Sequence, residues 1–367
     1  MDPTVSIQEA SAITNHPTDG PGKAECCSET NVRHLVAAGV EWVKAEGVKL
    51  MATCTPAVEH DSRMILEFWG VRGGLPTPGA ATVRYGGNTV CVELRCGPHL
   101  LILDAGSGLR EFGRTLAAAG VPANADILLS HTHFDHICGL PFFAPMFDTR
   151  ARIRFWAGHL APPNSIVKAL IHSWQAPVMP DIHTKFCAQT EFHDFAPRDA
   201  LQLHPGLCVS TTSLCHPGNA IGYRISWGAS SICYITDTEH PGHGIDMNLL
   251  QFVAGADIMI YDASYSDEEY QSRIGLGHST WQAGLRLADA AAVKQLVLFH
   301  HDPTHDDGVM DAIGSAVANR RPGSLVAREG LRITVASQFD DVIARNIETD
   351  EFYTEQSGRL IRSGTSG

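Results

Sequence analysis

The chain has 367 residues, 44% hydrophobic and 18% charged, which is globular composition with enough apolar mass to bury a sizeable core. Its formal net charge of −13 (40 acidic against 27 basic residues) excludes a broad nucleic-acid surface, which needs a basic stripe. The sequence contains no run of about 18 apolar residues, so no membrane-spanning helix and no membrane partner are expected.

Residues 1–28 are rich in Pro, Ser, Thr, Gly and Asp and read as a leader without secretory-signal character. From Thr30 to Glu46, Val32, Leu35, Val36, Val40 and Val43 recur at helical spacing, so the N-terminal region 1–62 is expected to hold one amphipathic helix. Such a helix would pack on its own domain or on a partner. Beyond Met64, short β-rich runs follow between glycine loops: ILEFWGV, TVCVEL, HLLILDAG and ADILLS, later RIRFWAG, AIGYRISW, SICYITD, ADIMIYDA and QLVLFHH. SIVKALIHSW and TWQAGLRLADAAA are the clearest helices. Strands with interspersed helices predict a layered α/β domain over 63–338, followed by a polar tail over 339–367. Ten cysteines without CxxC spacing read as mostly reduced thiols of a cytoplasmic protein.

Histidine is the compositional outlier, with nineteen residues. The stretch LLSHTHFDHICGL places His131, His133, Asp135 and His136 where the ADILLS strand ends and a helix begins. In an extended turn His131 and His133 face one side, while Asp135 and His136 face a second point. Neutral imidazoles and a carboxylate so arranged suit two adjacent cations.

On these residues the chain resembles the metallo-β-lactamase-fold hydrolases over 63–338, and the pattern continues in order. It runs through Asp104 in LILDAGSG, His216 in LCHPGNAIGYRI, Asp237 in CYITDTEH and a last histidine in LVLFHHDP. The resemblance implies a four-layer αββα sandwich. It also implies two divalent metal ions, Zn2+ with Mn2+ or Fe as alternatives. One ion would take His131, His133 and His216, the other Asp135, His136 and His300, with Asp237 bridging. His300 is chosen over His301 because LVLFH matches the family's strand-then-histidine order. Asp104 would support the ligand loop rather than bind metal.

Three features narrow the chemistry. IMIYDASYS followed by GLGHSTWQAG resembles the ribonuclease Z-like phosphodiesterase branch, in which an acidic residue orients a histidine, here Asp262 and His278. A carboxylate-held histidine is a suitable acid for a leaving alkoxide; Ser279 or Thr280 could also cap the helix that follows. The bridging position carries Asp237 rather than the cysteine of many zinc β-lactamases, and Cys215 and Cys233 read as core thiols. Transfer-RNA-processing ribonuclease Z inserts a long arm between the third-motif histidine and the bridging aspartate. Here Asp237 follows His216 by only 21 positions (237 minus 216).

The expectation is therefore a dinuclear phosphodiesterase for a small-molecule substrate such as a cyclic nucleotide, with Asp135 orienting or deprotonating the attacking water and His278 protonating the leaving group. The alternative is an ester, thioester or lactone hydrolase. No large nucleic acid is expected as a partner, and a homodimer is an admissible assembly. Phe142, Phe143, Met146, Phe147, Trp156 and Trp174 either line a pocket that stacks a base or pack ordinarily. The loops GVRGGLPTPG and YGGNT resemble a bacterial subgroup of the fold. They are expected to border the site, with Arg72 or Asn88 reaching substrate oxygens unless turn geometry alone explains them. In DPTHDD, Thr304 and Asp307 form a capping-box pattern.

Overall fold

The computed structural model describes residues 62–242 and 244–335, together with the backbone of five strands, Val32–Val36, Gly39–Glu41, Val342–Asn346, Glu351–Gln356 and Arg359–Thr365. Every β-run named above forms a strand. The central ones, such as Asn124–Leu129, Ile258–Asp262 and Gln295–Phe299, are buried along almost their whole length. Continuous apolar runs rather than alternating ones arise because both faces of these strands are covered.

The strands form two sheets of twelve and seven. In the larger, Leu331–Val335, Met64–Gly70, Cys91–Cys96 and His99–Leu103 pair antiparallel, and His99–Leu103, Asn124–Leu129, Arg152–Ala157 and Gln189–Asp194 run parallel. In the smaller, Leu207–Leu214, Ala220–Trp227 and Ser230–Ile235 pair antiparallel, then Ser230–Ile235, Ile258–Asp262 and Gln295–Phe299 run parallel.

Three apolar cores separate four layers. Phe68, Leu94, Leu101 and Leu128 meet Tyr223, Ile232, Tyr234 and Phe299 between the sheets. The outer face of the larger sheet buries Ile127 and Phe155 under helices Gly108–Ala118 and Ile166–Ser173, through Leu109, Phe112 and Leu170. The outer face of the smaller buries Met259 and Leu298 under helices Trp281–Ala290 and Asp307–Arg320, through Leu285, Ile313 and Val317. This is the expected αββα sandwich.

Two local expectations fail. Within the segment read as a helix, Val32–Val36 and Gly39–Glu41 are strands, the first pairing antiparallel with Gln189–Asp194. Valines favour extended backbone, and an open sheet edge supplies the ladder hydrogen bonds. The rest of the 1–61 region lies outside the described residues. After Leu331–Val335, strands Val342–Asn346, Glu351–Gln356 and Arg359–Thr365 extend the same sheet. The second failure is the DPTHDD cap. Asp306, not Thr304, caps helix Asp307–Arg320 by accepting from Val309 N, while the Thr304 hydroxyl donates to Asp302 and the Asp307 carboxylate accepts from Arg84 N and Tyr85 N. No described helix is long and apolar enough to cross a membrane. Among the described cysteines, Cys91, Cys96, Cys138, Cys187, Cys215 and Cys233 are free thiols and Cys208 is held in a disulfide.

Away from the parallel strand ends, buried Asp126 pins the sheets together. It accepts two bonds from Arg154 (2.6 and 2.8 Å), one from Trp156 Nε1 (3.0 Å) and one from His204 Nε2 (2.8 Å) of the facing sheet. Burial alone would raise this carboxyl, but Arg154 and His204 hold it at about 2. A folded pKa below the unfolded value near 3.8 stabilises above that value, and the stabilisation disappears as pH falls from about 4 to 2. Asp126→Asn should therefore cost about 2 kcal/mol at pH 7 and much less near pH 2. Urea unfolding at both pH values checks this; an equal loss at both would exclude the carboxylate as its source.

Candidate metal centre

Parallel strands in both sheets deliver their carboxyl ends to one edge, and the polar residues stand there. Asp104 follows His99–Leu103, the HTHFDH turn follows Asn124–Leu129, Asp237 follows Ser230–Ile235, Asp262 ends its strand, and His300 follows Gln295–Phe299. Asp104, Asp237 and His300 all adopt left-handed backbone (φ 57°, 49° and 60°). Non-glycine residues pay roughly 1–3 kcal/mol for this, and such strain concentrates at functional sites.

All seven residues expected to bind metal come together. His131, His133 and His216 form one group with nitrogens within 4.8 Å of one another; Asp135, His136 and His300 form a second; and His131, His136 and Asp237 join them. The buried Asp237 carboxylate stands 3.8 Å from His131 Nε2, 3.2 Å from His136 Nε2, 3.7 Å from His216 Nε2 and 3.3 Å from His300 Nε2. Asp135 Oδ2 stands 3.3 Å from His136 Nε2 and 3.4 Å from His300 Nε2, and accepts from Gly74 N at 2.6 Å.

The outward nitrogens set the tautomers. His136 Nδ1 donates to Asp104 (2.8 Å), His216 Nδ1 to the Gly277 carbonyl (2.8 Å), and His300 Nδ1 meets Ser264 Oγ (3.0 Å). Their Nε2 lone pairs are thereby turned inward, the state that binds a cation. His131, His136 and His300 Nε2 are buried without any hydrogen-bond partner. Burial raises and the imidazoles of His136, His300 and His131 lower the Asp237 carboxyl, which ends well below the usual carboxylate range. The donor set and its orphaned nitrogens fit divalent cations. Asp104, fully buried, accepts also from Ser130 N, Ser130 Oγ and Tyr234 Oη, so it braces the ligand turn as expected.

His278 stands beside this cluster. Its Nδ1 donates to Asp262 Oδ2 at 3.0 Å, and its ring stacks at 4.9 Å on His300. Burial opposes protonation of His278, but Asp262 overcomes it and pushes the imidazole up to about 9. Thr280, not Ser279, caps the following helix through Ala283 N, so capping and site geometry coexist. His301 points away: its Nε2 donates to the Ala327 carbonyl, and burial lowers it to about 3.

The glycine loop borders the centre through backbone alone. A Cβ on Gly73 would lie 2.1 Å from His300 Cε1, so only glycine fits. Arg72 does not reach outward; it is fully buried and donates to the carbonyls of Gly86, Asp302 and His305. Asn88 binds Glu329 and Ser107. Both hold loops because buried carbonyls need donors. Of the aromatic wall, Phe143, Met146 and Trp174 are core and Trp156 is bound to Asp126, leaving Phe142 and Phe147 exposed. Sequence reasoning missed other groups. His159 Nε2 lies 3.0 Å from Thr132 Oγ1, Ser264 bridges Asp262 and His300, and exposed Leu75, Phe134, Ile274 and Leu276 each lie within a few residues of a site group. Phe134 inside HTHFDH, Leu75 in GVRGGLPTPG, Ser264 in IMIYDASYS and Leu276 in GLGHSTWQAG lie within quoted motifs, whereas His159 and Ile274 carried no local signal.

Comparison with known proteins places this site in context. A family model described as the beta-lactamase superfamily domain matches residues 99–301, more than half of the chain. A ribonuclease Z of Synechococcus sp. (strain WH7803) is 26% identical over 145 residues, 39% of this chain and 41% of that protein, so the match spans about two-fifths of the relative's length. The metallo-beta-lactamase fold protein YhfI from Bacillus subtilis superposes with a TM-score of 0.57 at 18% identity, covering 74% of this chain and all of that one. A diphosphatase from the PhnP family superposes with a TM-score of 0.54 at 20% identity, covering 73% and 96%. At these identities the structures share the fold.

Proposed function

The chain belongs to the beta-lactamase superfamily, a metallohydrolase of that fold, and from that premise we propose that it is a dinuclear phosphodiesterase acting on a small phosphodiester such as a cyclic nucleotide. The observation that carries the reading is the His278–Asp262 pair, 3.0 Å apart beside the carboxylate-bridged histidine cluster. His131, His133 and His216 would hold one ion and Asp135, His136 and His300 the other, with Asp237 between them. The nitrogen-rich donor set favours zinc, with manganese and iron the alternatives that metal analysis separates. Ions bound there supply Lewis acidity toward phosphate oxygens and an acidified water.

The chain's own groups do the rest. Asp135, held by Gly74 N, orients the attacking water and takes its proton. Asp262 fixes His278 with Nδ1 engaged, leaving Nε2 to pass a proton to the leaving oxygen. The ribonuclease Z relatives support phosphodiester chemistry, while the His216–Asp237 interval holds only strands Ala220–Trp227 and Ser230–Ile235, with no room for an RNA-clamping arm.

The test is metal analysis with a hydrolysis panel of bis-aryl phosphate, cyclic nucleotides, a thioester, a lactone and a cephalosporin. Turnover of the phosphodiesters is expected. Turnover confined to the carboxyl-derived substrates would overturn the proposal.

A further inference from the structure

His278 is carried on the segment QSRIGLGHST, residues 271–280, between helices Asp267–Tyr270 and Trp281–Ala290. Most of this segment is solvent-exposed, including Ile274 and Leu276, and a loop of this kind is ordinarily mobile. Its task does not tolerate mobility, because the Gly277 carbonyl must meet His216 Nδ1 and the next residue must meet Asp262.

One side chain supplies the constraint. Glu239 Oε1 and Oε2 accept from Gly275 N at 2.9 and 3.0 Å, Oε2 accepts from Gly277 N at 3.0 Å, and the Tyr270 hydroxyl donates to Oε1 at 2.7 Å. Glu239 stands two positions after Asp237, and its own N–H donates to the carbonyl of Cys215, the residue before His216. Three segments of the centre thus meet at Glu239, two through its backbone and the loop through its carboxylate. Gly275 and Gly277 adopt φ of +89° and +83°. A Cβ on Gly277 would lie 2.3 Å from Pro217 Cδ and 2.4 Å from His216 Nδ1, so the loop closes directly onto the His216 turn.

We propose that Glu239 is a positioning residue: its carboxylate clamps the Gly275–Gly277 loop, so that the Gly277 carbonyl orients His216 and His278 faces the leaving group. The part concerning His278 rests on its role as proton donor proposed above. Glu239 touches no reacting atom and acts only through the loop.

The experiment compares Glu239→Gln and Glu239→Ala with the parent protein in two measurements. Amide exchange at Gly275 and Gly277 is read on the metal-free protein. The kcat is read on two phosphodiesters that differ only in an aryl or an alkyl leaving group, per mole of metal-loaded protein. Exchange should speed by about tenfold or more in Glu239→Ala, and less in Glu239→Gln, whose amide oxygen still accepts. Turnover of the alkyl substrate, which needs a proton donor, should fall by about tenfold or more, and that of the aryl substrate by about twofold or less. Unchanged exchange overturns the clamp whether or not the protein is a phosphodiesterase. Equal losses on both substrates overturn the link to His278. If neither substrate is turned over by the parent protein, the functional proposal fails while the exchange result still decides the clamp.

Discussion

Removing the divalent ions with a chelator is expected to abolish turnover and lower the melting temperature together, and Asp237→Ala should reproduce both losses permanently. Asp237 is buried and faces five imidazoles at 3.2–3.8 Å, those of the candidate ligands His131, His136, His216 and His300 and that of His278. Among the described residues it is the one carboxylate close to both ligand groups, so its loss removes the negative charge against which two cations can sit side by side. The expected fall in kcat is on the order of a thousandfold or more, since Lewis acidity and the acidified water are lost together. Bound ions at a hundred times their dissociation constant stabilise by about 2.7 kcal/mol, and the chelated protein should melt correspondingly earlier. Elemental analysis should read two ions per parent chain and no more than one in Asp237→Ala. Full turnover by thoroughly chelated protein would sink the metal-dependent reading.

The second large effect is at His278. Replacement by Ala should leave metal content intact and slow turnover by roughly a hundredfold. The separation is possible because His278 is engaged by Asp262, while three of the candidate ligands, His136, His216 and His300, are braced by other groups, namely Asp104, Gly277 and Ser264. Asp262→Asn should give a smaller loss of the same kind, because the amide no longer holds the imidazole protonated at Nδ1. Thr280 caps the following helix, so the variant loses no cap and folding should be unaffected. Unchanged turnover in His278→Ala would remove this residue from the mechanism.

Adjacent residues mark the boundary of what local pattern can resolve. His300 and His301 are chemically identical, and strand-then-histidine order alone favoured the first. The structure separates them by a left-handed turn at His300, which sends one ring to Ser264 and Asp237 and the other to the Ala327 carbonyl. Arg72 illustrates the reverse case. A glycine-rich loop beside the site made it a candidate for substrate contact, yet three backbone carbonyls from distant segments claim its guanidinium. The valine spacing over Thr30–Glu46 fitted a helix, and the open edge of Gln189–Asp194 drew Val32–Val36 into a strand.

Layering was thus written in the chain itself, and the candidate ligand set followed from the order of motifs in which the chain resembles its family. Apolar runs of strand length specify buried sheets by hydrophobic burial, and polar residues at the ends of such runs must emerge at a common edge once the parallel strands align. Those are short-range signals, and they survive without any partner. Which nitrogen faces inward, and that Glu239 holds the His278 loop, depend on hydrogen bonds between residues 31 to 61 positions apart. Such bonds exist only after the sheets have packed, because their geometry is set by neighbours that no local window contains.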